Sequence, residues 1–178
     1  MIHQRGKIIG TPVLGFADGQ PLGIVEDLII HPDTGKVEAL WVKPLTLPYA
    51  HAVLPVEAIL SWKKNLYVSG DGALSEPDEV IRIAETLSRK EKFIGNRVQS
   101  ESGKGFGRVY DLDFDTRSMT LRYLFVDKSL FGFRFQRRFF HFDNIVQVLP
   151  DVILVRDEEA NPEKEAVLAE EAGAVLEA

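Results

Sequence analysis

Three aspartates alternate with apolar residues in one segment, and closely spaced carboxylates of this kind are typical of calcium-binding loops. They are Asp111, Asp113 and Asp115. An EF-hand loop also needs Gly at its sixth position and Glu at its twelfth, where this chain has Thr116 and Arg122. A period of two is instead typical of a β-strand, which would place the aspartates together on one solvent-facing side. We therefore expect no metal site here.

A glycine-rich segment just before the aspartates resembles a phosphate-binding loop only superficially. Residues 103–107 read Gly-Lys-Gly-Phe-Gly. A P-loop has four residues between its first glycine and its Gly-Lys pair, then Ser or Thr and a helix. Because glycine adopts positive φ at no steric cost, a hairpin turn accounts for the segment. We expect no bound nucleotide and no other cofactor.

Residue types that act in catalysis are scattered through the chain. There is no cysteine, which excludes thiolate nucleophiles, thiolate zinc sites and disulfides. The sequence contains neither the Gly-x-Ser-x-Gly motif of esterases nor the His-Glu-x-x-His motif of zinc proteases. The four histidines are His3, His31, His51 and His141. These observations predict a protein that is not an enzyme and has no catalytic residues.

One segment combines aromatic and basic side chains at high density. In residues 128–140, five of the thirteen residues are Phe and four are Lys or Arg. The candidate contact residues are Lys128, Phe131, Phe133, Arg134, Phe135, Arg137 and Arg138. A hairpin that buries its phenylalanines and exposes its basic residues is one interpretation. The other is a contact surface, because Arg and Phe are enriched at interface centres and Arg pairs bidentately with carboxylates and phosphates.

The distribution of charge favours a local anion-binding surface over a general one. The net charge of the 178 residues is −6. Residues 94–150 carry nine Lys and Arg against six Asp and Glu, whereas residues 151–178 carry two against nine. An acidic chain with one basic third argues against a general nucleic-acid binder. No segment approaches the ~18 consecutive apolar residues that span a bilayer.

The two halves of the chain repeat one pattern. Aligning Gly23 with Gly107 also aligns Asp27 with Asp111. The same offset of 84 residues aligns a Leu-Trp-Val sequence in the first copy with Leu-Phe-Val in the second. Both copies are rich in β-branched and apolar residues, divided by turn sequences. The four shared Gly and Asp residues are therefore predicted to serve the structural scaffold.

Short strands separated by turns favour a small closed β-barrel for each copy, and the segment between the copies has a helical pattern. Ser75 is a predicted N-cap and Pro77 fits a first turn. Apolar residues then recur at helical spacing at Val80, Ile83, Ala84 and Leu87. We predict an all-β protein with two tandem barrels, a linker helix and an acidic C-terminal tail that is helical or disordered. The predicted ranges are, in that order, 1–72, 92–156, 73–91 and 157–178.

The shared residues resemble the PRC-barrel domain family. They comprise Ile-Gly-x-x-Val, a glycine-containing turn, and Leu-Gly-x-Val-x-Asp-Leu at residues 22–28, repeated as Phe-Gly-Arg-Val-Tyr-Asp-Leu at residues 106–112. The resemblance implies a PRC-type barrel of about six strands in each copy and supplies no catalytic residues. The family includes the cytoplasmic part of the photosynthetic reaction-centre H subunit and the C-terminal domain of the ribosome-maturation factor RimM. This chain lacks the H subunit's transmembrane anchor, and its first half resembles a second barrel rather than RimM's other domain.

Members of this family dock onto other macromolecules, so the resemblance implies a non-catalytic protein-interaction or adaptor module. Its predicted docking surface is the Arg/Phe-rich hairpin of the second copy, and its predicted partner is another protein or a second copy in a homodimer. One alternative is a ribosome-associated maturation or RNA-processing factor that contacts a ribosomal protein or rRNA. A second alternative is a peripheral module at an anionic membrane surface. We expect a cytoplasmic location and no integral membrane segment.

Overall fold

The computed structural model describes residues 1–48, 50–130 and 133–157, with the backbone alone for residues 129, 130 and 133–136. They form two compact units. The unit named barrel 1 here comprises Arg5–His31 and Lys36–Lys90. The unit named barrel 2 comprises Met1–Gln4, Pro32–Gly35 and the described residues from Glu91 onward. The predicted acidic tail, apart from Asp157, lies outside the described residues.

Barrel 1 is a six-stranded sheet with two helices, and it follows β1 (Ile2–Gln4), which belongs to barrel 2. Its elements are α1 (Arg5–Ile8), β2 (Pro12–Gly15), β3 (Pro21–Ile30), β4 (Val37–Pro44), β5 (Ala52–Pro55), β6 (Ile59–Trp62), β7 (Leu66–Val68) and α2 (Ile81–Ser88). The strands lie in the order β5-β4-β3-β2-β7-β6. Strands β2 and β7 run parallel.

Barrel 2 repeats this arrangement strand for strand. Its elements are β8 (Arg97–Ser100), β9 (Gly105–Asp115), β10 (Thr120–Leu130), β11 (Phe133–His141), β12 (Ile145–Val148) and β13 (Val152–Val155). The strand order is β11-β10-β9-β8-β13-β12, and β1 pairs with β9 in addition. Strands β13 and β8 run parallel, as β7 and β2 do in barrel 1. The predicted all-β class and tandem repeat are therefore confirmed.

The Ile-Gly motif at the start of each copy has the same backbone conformation in both barrels. Gly10 has a φ of 86° and Gly95 a φ of 80°. The Gly10 amide donates to the Val25 carbonyl at 2.8 Å, and the Gly95 amide donates to the Val109 carbonyl at 2.8 Å. Positive φ favours glycine because other residues carry a Cβ that crowds the backbone there. The repeat in sequence is thus a repeat of hydrogen bonds.

The core of each barrel comes from the inward-facing positions of its central strands. Alternation along a strand sends every second side chain to the interior. In barrel 1 the buried residues include Val13, Val25, Leu28, Leu40, Val42 and Leu54. In barrel 2 the corresponding set includes Val98, Val109, Leu112, Leu124, Val126 and Phe140. Burying one such side chain stabilises the folded state by roughly 1.5–3 kcal/mol, so these residues make the main contribution to the stability of both barrels.

The shared motif glycines lie where the neighbouring strand comes unusually close. A Cβ on Gly23 would lie 2.8 Å from the carbonyl oxygen of Lys43. A Cβ on Gly107 would lie 2.9 Å from the amide nitrogen of Lys128 and closer still to the Asp127 carbonyl. Gly107 also has a φ of 124°. Glycine at these positions is what lets the two central strands of each barrel approach.

The rest of the motif forms a β-bulge followed by a side-chain hydrogen bond. Glu26 in β3 and Tyr110 in β9 are skipped by the pairing with the next strand, which is the geometry of a bulge. The carboxylates of Asp27 and Asp111 each accept the amide N–H of the following leucine, at 2.7 and 2.9 Å. In barrel 1 the Arg5 guanidinium holds Asp27 bidentately, at 2.6 and 2.8 Å.

The helix between the copies packs on barrel 1. Ile83 of α2 is fully buried in a cluster with Ile29, Ala39 and Val53. The other residues of the predicted apolar stripe include Val80 and Leu87, which pack against the edge of this cluster. Helical spacing of the apolar residues therefore located the buried face correctly.

The start of α2 differs from the prediction. The helix begins at Ile81, with Val80 as N-cap and no side-chain cap. Ser75 instead pairs with Val53 as an isolated bridge, through hydrogen bonds of 2.9 and 3.1 Å. Pro77 lies in a turn between the bridge and the helix. The sequence pattern for a cap was present, but the backbone of Ser75 forms hydrogen bonds with the edge strand β5 instead.

Replacing Gly107 with Ala should destabilise the protein by about 2 kcal/mol or more, because the new Cβ would collide with the β10 backbone at a positive φ. The matched control is Gly105→Ala on the same strand, where a Cβ meets nothing within 4 Å. We expect the control to stay within about 0.5–1 kcal/mol of the parent protein. Urea unfolding followed by circular dichroism and by tyrosine fluorescence, to which Tyr110 and Tyr123 of barrel 2 contribute, measures both. Equal losses in the two variants would contradict the close-approach argument.

Candidate interaction surface

The Arg/Phe-rich segment forms the β10–β11 hairpin of barrel 2. Its strands pair from Tyr123 opposite His141 to Leu130 opposite Phe133. The register shifts between Lys128 and Ser129, so a bulge interrupts the two-residue alternation in the outer half of the hairpin. The corresponding strands of barrel 1 pair over only four residue pairs. The hairpin is thus the largest structural difference between the two copies.

Four charged residues form one row across the strands of barrel 2. Arg97 on β8 is paired with Arg108 on β9. Arg108 is paired in turn with Asp127 on β10, and Asp127 with Arg137 on β11. Directly paired residues share one face of a sheet, and neighbouring strands lie ≈ 4.7–4.9 Å apart. This set, the cross-strand row, therefore extends about 14 Å across the outer face.

The cross-strand row faces solvent and has an excess of positive charge. Arg97, Arg108 and Arg137 are exposed, and Asp127 is half-buried. One nitrogen of the Arg108 guanidinium donates to the Gly95 carbonyl at 2.8 Å, which orients the group and leaves further N–H donors on it. The row contributes to the lining of a shallow cleft that also includes exposed Lys128. Three guanidiniums on a rigid sheet suit a ligand that carries several carboxylates or phosphates.

The aromatic side chains near the row pack on their own barrel. Phe139 meets Phe125 edge-on, with ring centroids 5.2 Å apart, and Phe125 lies 6.2 Å from Tyr110. Phe140 is buried, with its ring centroid 5.1 Å from that of Phe106. Edge-on and tilted contacts of this kind stabilise a sheet face beyond the area they bury. These rings stabilise the β10–β11 hairpin.

Barrel 1 carries no such row at the same positions. The residues paired there are Pro12 with Ile24, and Ile24 with Lys43. Pairing of β4 with β5 extends only to Val42 opposite Ala52. Because the strand order is the same in both barrels, the difference lies in the side chains and in the longer hairpin. The basic face is specific to barrel 2 among the residues that the structure describes.

The predicted contact residues lie in different environments. Lys128 and Arg137 are exposed. Arg138 is half-buried, with its guanidinium carbon 5.1 Å from the centroid of the Phe106 ring, a cation–π contact. Phe133, Arg134 and Phe135 belong to β11, where only their backbone is described, and Phe131 lies outside the described residues.

Two members of the cross-strand row were missed by the sequence analysis. Arg97 and Arg108 are 11 residues apart in sequence and lie outside the Arg/Phe-rich segment. The internal repeat holds the signal that could have found them, because the aligned residues of the first copy are Pro12 and Ile24. A basic residue that replaces an apolar one on an outer strand position marks a surface that has diverged.

The three aspartates do not share one solvent-exposed environment, contrary to the sequence-based expectation. Asp113 is only 6% exposed, because β1 pairs alongside it with Gln4 opposite. Burial raises the pKa of Asp113 to about 6, although its hydrogen bond from the Tyr123 amide at 3.0 Å acts in the opposite direction. Asp115 is bound by the amide of Arg117 and by the N-terminal amine of Met1, which lower its pKa.

The histidines are occupied in separate local contacts. His51 Nδ1 lies 2.7 Å from a carboxylate oxygen of Glu26. His141 Nδ1 accepts the amide N–H of Asp143 at 3.2 Å. Over residues 1–48, 50–130 and 133–157, no group of three or more His, Asp or Glu side chains is placed to hold a metal ion. Nor does any helix among these residues have the length and apolarity to cross a bilayer.

Fold and surface together define a tandem pair of small β-barrels, of which the second carries a basic face. The PRC-barrel domain family model matches the chain twice, over residues 3–74 and 85–161. The chain therefore belongs to the PRC-barrel family, with two tandem copies of its domain, as the sequence resemblance implied. PRC-barrel domains are in general non-catalytic interaction modules. A comparison with curated proteins found no match.

Replacing Asp113 with Asn should flatten the pH dependence of stability between about pH 4 and pH 6. Because the folded state holds the Asp113 proton more tightly than the unfolded chain, protonation stabilises the fold. That contribution is complete below about pH 4 and is lost as the pH rises through about 6, on the order of 2 kcal/mol. Urea unfolding at a series of pH values measures the slope.

The control for this experiment is Asp115→Asn, because the pKa of Asp115 is shifted in the opposite direction from that of Asp113. A lowered pKa means that Asp115 stabilises the fold above the unfolded pKa and loses that contribution as the pH falls through its folded value, below about 4. The control should therefore keep the slope between pH 4 and pH 6. An Asp113→Asn protein with the parent slope in that window would contradict the burial argument.

Proposed function

We propose that this chain is a non-catalytic adaptor that docks on an acidic surface of a partner protein through the basic face of barrel 2. The docking surface consists of the cross-strand row with Lys128 and the adjoining β10–β11 hairpin. The observation that carries the proposal is the row itself. Its exposed Arg97 and Arg108 stand where barrel 1 has Pro12 and Ile24, and its exposed Arg137 pairs on β11 beyond the point where the β4–β5 pairing of barrel 1 ends. After duplication of a binding module, both copies are expected to keep the scaffold while the outer face of one copy diverges for its partner.

The geometry of the row favours specificity for a folded anionic surface. Its residues lie on four hydrogen-bonded strands, so the sheet rather than a loop sets the spacing of their backbones, and the Gly95 carbonyl orients the Arg108 guanidinium. Arginine also loses less conformational freedom per hydrogen bond than lysine, because its donors form a planar fork. Asp127 within the row places a negative charge among the arginines, which disfavours a ligand that puts a carboxylate against it.

A protein partner is favoured over RNA by the packing of those aromatic rings beside the row whose side chains the structure describes. RNA readers stack unpaired bases on exposed aromatic faces beside arginine. Phe125 is only 3% exposed, and Phe139 and Tyr110 are half-buried in contact with it. These rings are used to support the sheet. The excess of acidic residues in the whole chain also weakens attraction to a long polyanion.

The second candidate function is a ribosome-associated factor that binds a ribosomal protein or rRNA. The same three arginines support it, since guanidinium pairs with phosphate as well as with carboxylate. The proposed compartment is the cytoplasm in both cases, which the absence of cysteine supports.

Reversing the three arginines should abolish partner capture without unfolding the protein. The variant Arg97→Glu, Arg108→Glu, Arg137→Glu changes exposed side chains only. The matched control reverses three exposed lysines of barrel 1, Lys43, Lys63 and Lys64, with the same change in net charge. From a lysate treated with nuclease, we expect the amount of captured partner protein to fall about 10- to 100-fold in the arginine variant and to stay unchanged in the lysine variant. Quantitative mass spectrometry of tagged bait measures the fall.

The two candidate functions separate in the same experiment. Co-sedimentation with ribosomes that depends on the arginines and is abolished by ribonuclease would replace the protein-partner proposal with the ribosomal one. Equal capture by the arginine and lysine variants would contradict both. Circular dichroism of each variant establishes that the barrels remain folded.

A further inference from the structure

The C-terminal end of the chain is strongly acidic. Residues 158–178, which lie outside the described residues, contain seven Glu and one Lys. Their apolar residues include Val167, Leu168, Val175 and Leu176. The segment is thus a concentrated source of carboxylates joined covalently to a barrel that exposes three arginines in a row. Complementary charge of this kind selects one binding arrangement over others.

The point from which this segment departs lies on the strands that carry the row. The carboxylate of Asp157 accepts hydrogen bonds from the Ser102 hydroxyl at 2.7 Å and the Ser102 amide at 3.2 Å. These contacts lower the pKa of Asp157. The Glu101 amide donates to the Val155 carbonyl at 3.1 Å. The chain is therefore anchored at the β8–β9 turn, and β8 and β9 hold Arg97 and Arg108.

The distance from this anchor to the row is short. Strand β13 runs parallel to β8, with Val155 opposite Ser100 and Val152 opposite Arg97. Arg97 is three residues along β8 from Ser100, which corresponds to about 10 Å at 3.3 Å per residue. Since 21 residues follow Asp157, and an extended chain spans up to ~3.3–3.6 Å per residue, reach does not limit contact with any member of the row.

Barrel 1 supplies a precedent for a segment that follows the last strand and folds back on its own barrel. After β7 the chain pairs Ser75 with Val53, and α2 then buries Ile83 against Ile29 and Val53. The segment after β13 occupies the same place in the repeat. Its acidic composition is complementary to the basic outer face of barrel 2.

We propose that residues 158–178 dock in cis on the cross-strand row and compete there with an anionic partner. The competition rests on the proposed function, but the docking itself does not. Covalent linkage gives such a segment an effective concentration in the millimolar range, so even weak carboxylate–guanidinium pairs hold it near the row. A partner must displace the segment, which sets a threshold for the partner's affinity.

The test places a spin label on the acidic segment of the full chain. Because the sequence has no cysteine, Ala172→Cys introduces one labelling site. We expect paramagnetic broadening of the backbone amides of Arg97, Arg108 and Arg137 that exceeds the broadening of the same amides when the acidic segment carries no carboxylates. Raising the salt from 0.1 M to 1 M shortens the Debye length from about 10 Å to about 3 Å, so the broadening should fall several-fold.

Two variants make the result decisive. Replacing the seven Glu of residues 158–178 by Gln leaves both barrels unaltered and should abolish the broadening, as should the three-arginine reversal. Broadening that is spread equally over both barrels, or that persists in the Gln variant, would overturn the docking. Partner capture is measured separately. If the segment docks but no partner is captured, the cis contact is supported and the proposed function is contradicted. If both hold, the Gln variant should capture about 10-fold more partner than the parent chain.

Discussion

The close approach of the two central strands in each barrel is the constraint on which the other features depend. Gly23 and Gly107 permit it because they carry no Cβ where the next strand's backbone passes. A bulge follows two or three residues further on, and pairing resumes after it. There the carboxylate of the motif aspartate accepts a hydrogen bond from the amide of the next residue. The strand register is set at this point, and a slip of one residue would turn the buried side chains of a strand to the outer face. Every surface position in the barrel is placed relative to that register.

A fixed register allows the two copies to differ on the outside while they share one interior. The buried valines and leucines match between the barrels, whereas the outer positions have become Pro and Ile in one and Arg in the other. Exposed positions on a sheet tolerate such changes because they contribute little to the core. A docking face can therefore evolve on a rigid support, with its charged residues on neighbouring strands that lie about 5 Å apart.

Two buried carboxyl groups, Glu38 and Asp113, are accommodated in different ways. Glu38 is 3% exposed and accepts a hydrogen bond from the Thr86 hydroxyl at 2.7 Å, which ties α2 to β4. Asp113 is placed under β1 and keeps its proton to higher pH than an ordinary carboxyl. Burial of a charge without compensation is costly, so each group either pairs or neutralises. In this protein both residues lie on interior strands, each beside a further segment of its own barrel: α2 at Glu38 and β1 at Asp113.

Sequence alone determined the tandem repeat, the β class and the family, because these follow from local patterns: the motif glycines, the turn residues and the two-residue alternation. It also located the buried stripe of α2. Only the tertiary structure decided that Ser75 completes an edge strand rather than a cap, and that Asp113 is buried by β1. It alone brought Arg97, Arg108 and Arg137 into one row. The physical reason is that cross-strand neighbours are set by sheet order and register, which join residues far apart in the chain.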